Sequence, residues 1–484
     1  MNIPVLIGIE LHARLNTRAK LFCRCANDAT LPPNSAVCPV CLGLPGTLPA
    51  LNEGALRKAM LVGHALNARI HSESYFCRKN YHYPDLPKGY QITQYPDALC
   101  TEGRLEFTGE NGSGQQLRIL RIHVEEDAAK LLHGRDEVLV DFNRSGVPLV
   151  EIVSAPELHA PEDAVAAVRE LRRLLIWLDV CDGAMEMGSL RCDVNVSLDI
   201  GDPYNGKTEI KNLNSFAAID RALRWEIDRL TASSPHRGSV GSITLHWDDA
   251  LGSGTVMRGK EGIGDYRYVR EPDLPALRID DADVHRVRDM LPELPRARAA
   301  RFHIEYGLPP QDCTVLCEQR AVAEYFEDVL HHARHRQPLM ARQACAWITG
   351  ELRHAQRERA MPETAFPIAA QRLANLLDLL HDECVSSTAA RHVLNYMMEH
   401  GTDAETALEF LHLRQIGDEA IIDEYIRDVL RTHASQARAA AGGDARLVPF
   451  LMGNLLRAGA QRLHPGKCAE RLRLALAALA QEGE

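Results

Sequence analysis

Five short stretches of the chain alternate apolar with polar residues, and each carries a carboxylate on its polar side. Successive side chains of a β-strand point to opposite faces, so a period of two marks strands with one face in a core. In Leu6–Arg14, Ile7, Ile9 and Leu11 oppose Glu10, His12 and Arg14. Further on, Leu120, Ile122 and Val124 oppose Arg121, His123 and Glu125, and Leu190, Cys192, Val194 and Val196 oppose Arg191, Asp193, Asn195 and Ser197. Glu151, inside Leu149–Val153, and the pair Glu209/Lys211 complete the set. One such strand is ordinarily the solvated side of an antiparallel sheet. Together, Glu10, His12, Glu125, Glu151, Asp193 and Glu209 repeat the ligand types of a hard cation, because Mg²⁺ is held by a few carboxylates, water and substrate phosphates. The expected chemistry is phosphoryl transfer on one face of a sheet.

Cysteine usage points to a second site. Cys23-Arg24-Cys25 and Cys38-Pro39-Val40-Cys41 are two close pairs separated by the twelve-residue loop Ala26 to Val37. Two such pairs are the pattern of a closed tetrahedral Cys₄ zinc site of structural type, although the first is C-x-C where C-x-x-C is commoner. Packing or free thiols are the plainer reading, and the loop Pro32-Pro33-Asn34-Ser35 offers them little core. The other nine of the 13 cysteines read as small hydrophobes.

At 484 residues the chain is long enough for two or three domains. Up to about residue 290 it reads as strands and loops with a few helices. One is capped by Asn52, one opens at Pro161, and one runs from about Ser215 to Leu230. That mixture predicts α+β, an antiparallel-sheet domain over 1–292 that includes the zinc loop. Residues 293–410 are almost wholly helix-forming, and a small helical tail occupies 411–484. A net charge of -11 argues against a protein that coats nucleic acid all over. Between Arg431 and Arg473, however, eight Lys/Arg face only Asp444 and Glu470, which is either a solvated helix face or a surface for phosphate backbones. No apolar run suits a membrane span, and Met1–Leu6 enters a strand without a charged leader, so a cytoplasmic protein is expected.

The segment Arg78–Tyr95 interleaves Lys79, Tyr81, Tyr83, Lys88 and Tyr90 with prolines. Tyrosine and lysine together can stack on a base while neutralising phosphate, although some tyrosines simply cap a core. Met257–Glu261 and Asp265–Tyr268 read the same way. No Walker A sequence, kinase-type glycine loop or G-x-S-x-G elbow is present.

Longer runs resemble a known family. They are Ile7–His12, Cys38–Gly46, Arg78–Tyr81, Tyr83–Gln91, His123–Ala128, Gly188–Asp193, Glu209–Phe216 and Glu271–Pro275, in order over the first 275 residues. They are similar to the B subunit of the aspartyl/glutamyl-tRNA amidotransferases, whose helical cradle and tail domains the rest resembles more weakly. The resemblance implies a carboxylate kinase. It would use ATP and Mg²⁺ to phosphorylate the side chain of Glu on tRNA(Gln) or Asp on tRNA(Asn), and ammonia from a partner would then displace the phosphate.

It also implies roles for particular residues. Glu10, His12, Glu125 and Glu151 would hold Mg²⁺, with Asp193, Glu186 and Glu209 lining the same cavity. Lys79, Lys88, Lys211 and Arg191 would face phosphates, Tyr81, Tyr83, Tyr90 and Asn212 would bind nucleotide or substrate, and Arg457, Arg462, Lys467 and Arg471 would meet tRNA. The implied partners are the amidase (glutaminase) and the small third component of the amidotransferase, in a heterotrimer. Two departures stand out: Tyr268-Val269-Arg270-Glu271 replaces an expected Tyr-Phe-Pro-Glu, and Cys77 precedes Arg78. The rival readings are a non-catalytic tRNA-binding scaffold and a stand-alone ligase. The chain lacks an identifiable glutaminase nucleophile, which disfavours the second.

Overall fold

A computed structural model describes residues 4–134, 136–199, 206–233, 242–259, 266–335, 338–362, 364–459 and 462–481. Lys260, Glu261 and Asp265, in the second aromatic and cationic segment, lie outside these. The chain divides into two compact units, Met1–Leu294 and Pro295–Glu484.

The first unit is built on a nine-stranded sheet. Its strand order is Ser253–Gly259, Ile243–Asp248, Thr208–Leu213, Leu190–Leu198, Val5–Arg14, Pro148–Ser154, Gly114–Glu126, Cys100–Thr108 and Arg69–Ile70. Neighbours run antiparallel except Thr208–Leu213 with Ile243–Asp248, which are parallel. The alternation read from the sequence explains how one face is buried. Ile7, Ile9, Leu11, Val150, Ile152, Val194 and Val196 are all inaccessible, and the helices Glu53–Ala65, Pro161–Trp177 and Phe216–Ser233 pack on that side. Each fully buried Leu, Ile or Val there contributes roughly 1.5–3 kcal/mol. Pro at the first position and Glu162 and Asp163 in the first turn start Pro161–Trp177, and Val168, Leu171, Leu174 and Leu175 form its buried stripe. Gly63 lets Glu53–Ala65 approach the sheet, since a Cβ there would fall 2.7 Å from Cys100 Sγ.

One strand departs from the sequence reading. Leu120 was expected in the core with Ile122 and Val124, yet it is 43% exposed, while Leu117 and Ile119 are buried. The cause is a bulge. Arg121 pairs with Val153 but Ile119 pairs with Ser154, so Leu120 is an extra residue that reverses the phase of the strand upstream. Downstream of the bulge, His123 and Glu125 keep the expected face.

The second unit is helical throughout its described residues. Its tail has its own apolar cluster, which includes Ile422, Ile426, Leu451, Leu455, Leu463 and Leu472, within the same compact unit as the helices before it.

Candidate active site and thiol site

Register assembles the polar face. Across four strands, His123 stands opposite Glu151, Glu151 opposite His12, and His12 opposite Arg191. One pair further along, Glu10 stands opposite Asp193, and Asn195 opposite Glu209. Directly opposed side chains on one face lie close enough to interact, so the pairing converts five distant segments into a single patch.

His12 Nε2 lies 3.3 Å from Glu151, 3.6 Å from Glu125 and 3.7 Å from Glu10. His123 Nε2 lies 3.3 Å from Glu151 and 4.0 Å from Glu125. Three donor sets each have their ligand atoms within 4.8 Å of one another: Glu10/His12/Glu151, His123/Glu125/Glu151 and Glu10/Asp193/Glu209. In the third set Lys211 already sits between the acids, 2.6 Å from Asp193 and 3.3 Å from Glu209. Burial acts to lower Lys211, but the charges of Asp193, Glu209 and Glu10 together outweigh it and hold Lys211 above the ordinary lysine range.

The first two sets hold three carboxylates, Glu10, Glu125 and Glu151, with Arg121 3.6 Å from Glu151. Burial, and then the charge of Glu151, push the Glu10 carboxyl above its usual range. Burial acts to lower His12, but its hydrogen bond to Glu151 and the charges of Glu151, Glu125 and Glu10 outweigh this and carry it up to about 9. Burial also opposes ionisation of Glu151, yet the charge of His123 and the hydrogen bonds of both imidazoles hold it well below the carboxylate range. Carboxylates crowded until imidazoles must neutralise them are a donor set that suits a hard divalent cation, with oxygen ligands in the majority.

The aromatic segment borders this patch. Cys77–Asn80 and Tyr90–Thr93 pair with each other, and Val269–Arg270 adds to the edge of Cys77–Asn80. The altered Tyr268–Glu271 sequence is therefore accommodated as a short strand, with Arg270 stacked on Tyr75 at 3.6 Å. Lys79 Nζ lies 4.9 Å from the Tyr266 ring and 5.9 Å from Tyr81. Burial opposes its charge, and Glu125, Tyr268, Tyr81 and Glu151 together outweigh burial and hold Lys79 above the ordinary lysine range. Tyr81, Tyr266, Tyr268 and Tyr95 form a line of ring contacts 4.7 to 6.1 Å apart. Burial pushes the Tyr81 hydroxyl up to about 12.

Other sequence-derived residues are engaged by different partners, on this face or away from it. Lys88 pairs with Glu126, whose side chain leaves its strand on the opposite side from Glu125. Tyr90 stacks on Arg78, which forks onto buried Glu271 at 2.7 and 2.8 Å. Tyr83 and Glu186 are exposed. Arg191 pairs with Asp127 at 2.8 Å. Asn212, at φ 70°, donates to the Trp247 carbonyl at 2.9 Å and so braces its own strand end. In the tail, Arg457 is exposed and Arg462 half-buried, Lys467 donates to Gly417 O at 2.9 Å, and Arg471 is engaged by Asp423 and Glu419.

The sequence reading gave no role to His123, Asp127 or Arg121. Their signal was available: Arg121 and His123 share the parity of Glu125 on one strand, and Asp127 follows directly on its end.

The thiol site is made by turns. Cys23, Cys25, Cys38 and Cys41 bring their Sγ atoms within 4.8 Å of one another. Cys38 N donates to Cys41 Sγ at 3.1 Å, and Leu42 N and Gly43 N close the turn onto Cys38 O and Val40 O, both at 3.1 Å. A hydrogen bond from Cys23 pulls the Cys41 thiol down to about 4, and the same bond pushes Cys23 up. Four convergent sulfurs, one already favoured as thiolate, fit a soft or borderline metal such as zinc.

The sheet gathers acids and imidazoles on one face, four thiols converge beside it in sequence, and comparison with known proteins matches this chain to B subunits of tRNA amidotransferases. Residues 5–285 match the GatB/GatE catalytic domain, and residues 324–476 match the GatB domain. The chain belongs to the GatB family. It is 42% identical over 483 residues to the B subunit of the aspartyl/glutamyl-tRNA(Asn/Gln) amidotransferase of Thermomicrobium roseum, covering 98% of this chain and 99% of the relative. To the proteins of the same name from Moorella thermoacetica and Chlorobium phaeobacteroides it is 41% and 38% identical, over 96% of this chain and 98% and 97% of the relatives.

Proposed function

We propose that this chain is the carboxylate-activating component of an amidotransferase that converts misacylated Glu-tRNA(Gln) or Asp-tRNA(Asn) to Gln-tRNA or Asn-tRNA. The observation that carries this reading is the register-built row His123, Glu151 and His12, with Glu10 and Glu125 beside it. In the reaction class, a carboxylate oxygen of the aminoacyl side chain attacks the γ-phosphorus of ATP and ADP leaves. Ammonia then attacks the acyl carbon and inorganic phosphate leaves, giving the amide.

The protein's part is positioning and charge control more than covalent chemistry. Glu10, His12, Glu125 and Glu151 would hold Mg²⁺, with His123 keeping Glu151 and Glu125 in place. A divalent cation so held would offset phosphate charge. Lys79, steadied by Glu125 and flanked by Tyr81 and Tyr266, would meet the nucleotide or the transferring phosphate. Lys211 and Arg191, both paired to acids, would set the charge of the cavity wall. Zinc in the Cys₄ site would be structural, because four thiolates leave no open position.

By this reading the enzyme is a carbon–nitrogen ligase with glutamine as nitrogen donor. Its ammonia would come from a partner amidase (glutaminase), with a third, small protein completing a cytoplasmic heterotrimer. No helix among the described residues is long and apolar enough to cross a membrane. Residues 293–410 would form the cradle and 411–484 the tRNA-contacting tail. Exposed Arg457 is the best placed of the four tail cations to reach a phosphate, and Arg471 the least, since two carboxylates engage it.

The test is ADP release by the assembled enzyme with Mg²⁺ and ATP, using misacylated against uncharged tRNA. Release that requires the misacylated form supports carboxylate activation. Equal background release in both would return the polar face to a channel wall and the chain to a scaffold.

A further inference from the structure

Lys20 is the only lysine among the buried described residues, at 0% exposure. Its Nζ lies 3.6 Å from Cys41 Sγ and donates to the Phe142 carbonyl at 3.2 Å. Among the described residues no carboxylate forms an ion pair with it, and the Cys41 thiol lies within its reach. Burying a lone ammonium is unfavourable unless a counter-charge lies close. Four thiolates around a divalent cation have the complementary problem, carrying two negative charges in excess. Each imbalance relieves the other.

The contacts around Lys20 extend the argument. Lys20 N donates to Cys25 O at 3.0 Å, so the residue is built into the first cysteine turn. Phe142 opens a turn that also holds the second one: Ser145 Oγ donates to Cys41 O at 3.2 Å, and Asn143 Oδ1 accepts from Ala36 N at 2.8 Å. The same turn reaches the active-site strand, because Gly146 N donates to Asp127 O at 3.0 Å. Lys20 therefore stands where the cysteine knuckle meets the turn beyond Glu125-Glu126-Asp127.

We propose that Lys20 is the charge-compensating positioning residue of the Cys₄ site, its buried ammonium holding part of the tetrathiolate's excess negative charge and tying the site to the Phe142–Val147 turn. This rests on the reading of the four cysteines as a metal site. Partners just outside a metal's ligands typically set its affinity by about 10–100-fold, and that is the effect expected here.

The experiment uses the full chain, stripped of metal and titrated with Co²⁺ alone, followed by chelator competition. Lys20→Gln keeps a donor for Phe142 O without the charge, Lys20→Met removes both, and Lys20→Arg keeps the charge. Both neutral variants are expected to release cobalt at about 10–100-fold lower chelator concentration and to shift the thiolate-to-cobalt charge-transfer band, while Lys20→Arg stays near wild type. A folded Lys20→Gln with wild-type affinity and an unmoved band overturns the proposal. If neither neutral variant folds, Lys20→Arg decides: near wild-type affinity supports the charge role, and a loss as large as that of Cys41→Ser overturns it. A wild-type chain that takes up no stoichiometric cobalt overturns the metal reading itself, and this inference with it.

Discussion

The first unit holds two sets of donor atoms that are built in opposite ways. The carboxylate and imidazole set stands on five paired strands, so its geometry is fixed by ladder register, and every member sits on a rigid backbone. The thiol set stands on turns whose shape is closed by N–H bonds to sulfur and carbonyl. The first is broad, gathers several carboxylates and is edged by Lys79 and a line of tyrosines. The second is compact and uses all four donors on one another. A site that must admit two substrates needs open positions held steadily from behind, which a sheet supplies. A site that only has to hold a loop together can be saturated, and short turns suffice.

That contrast is broken most severely by removing charge from the sheet site. Glu125→Gln keeps the shape of the side chain but removes a carboxylate that faces both imidazoles. Misacyl-tRNA-dependent ADP release by the assembled enzyme is expected to fall about 10²–10³-fold, the usual scale for deleting one preorganised electrostatic group. Glutaminase activity of the proposed partner should persist. Wild-type ADP release in this variant would remove Glu125 from the site.

The thiol site should respond differently. Cys41→Ser, or a chelator, should raise amide exchange across residues 18–48 and 138–147, because the cysteine turns and the Phe142–Val147 turn share the bonds from Ser145, Asn143 and Lys20. ADP release is expected to fall less than in Glu125→Gln. An equal loss, with no change in exchange, would mean that the thiols take part in the chemistry and that the contrast is false.

His123→Gln is a finer cut. His123 Nε2 lies 3.3 Å from Glu151 and 4.0 Å from Glu125. Its loss should raise the Mg²⁺ concentration for half-maximal ADP release by about 10–100-fold and leave the maximal rate less affected. An unchanged Mg²⁺ dependence would make His123 a filler of the face.

How much of this was legible beforehand follows from the same contrast. Period-two alternation was enough to sort Glu10, His12, Glu151 and Asp193 onto one face, because that depends only on local backbone geometry. Which residue stands opposite which depends on pairing between strands far apart in sequence, so the meeting of His123 with Glu151 could not be read from one strand. Parity alone would have separated Lys88's partner Glu126 from Glu125, but nothing local paired Lys88 with it. The cysteine spacing announced four convergent sulfurs, whereas nothing local in the sequence marks Lys20, whose 0% exposure depends on the fold.

Leu120 gives the smallest effect and isolates register itself. Alternation assigned it to the core, and the bulge opposite Val153 and Ser154 turns it outward. Leu120→Asn is therefore expected to change stability by no more than about 0.5 kcal/mol, as exposed substitutions do. Ile119→Val, one residue away and 1% exposed, should cost roughly 0.5–1.5 kcal/mol. Denaturant midpoints at unchanged slope would measure both. The reverse order would mean that the strand runs through without the extra residue. In that case Leu117 and Ile119 would share the parity of Arg121, His123 and Glu125 and stand on the site face, while Gln116 and Arg118 would turn into the core. The bulge is thus what lets one strand present Arg121, His123 and Glu125 to the site and still bury Leu117 and Ile119 upstream.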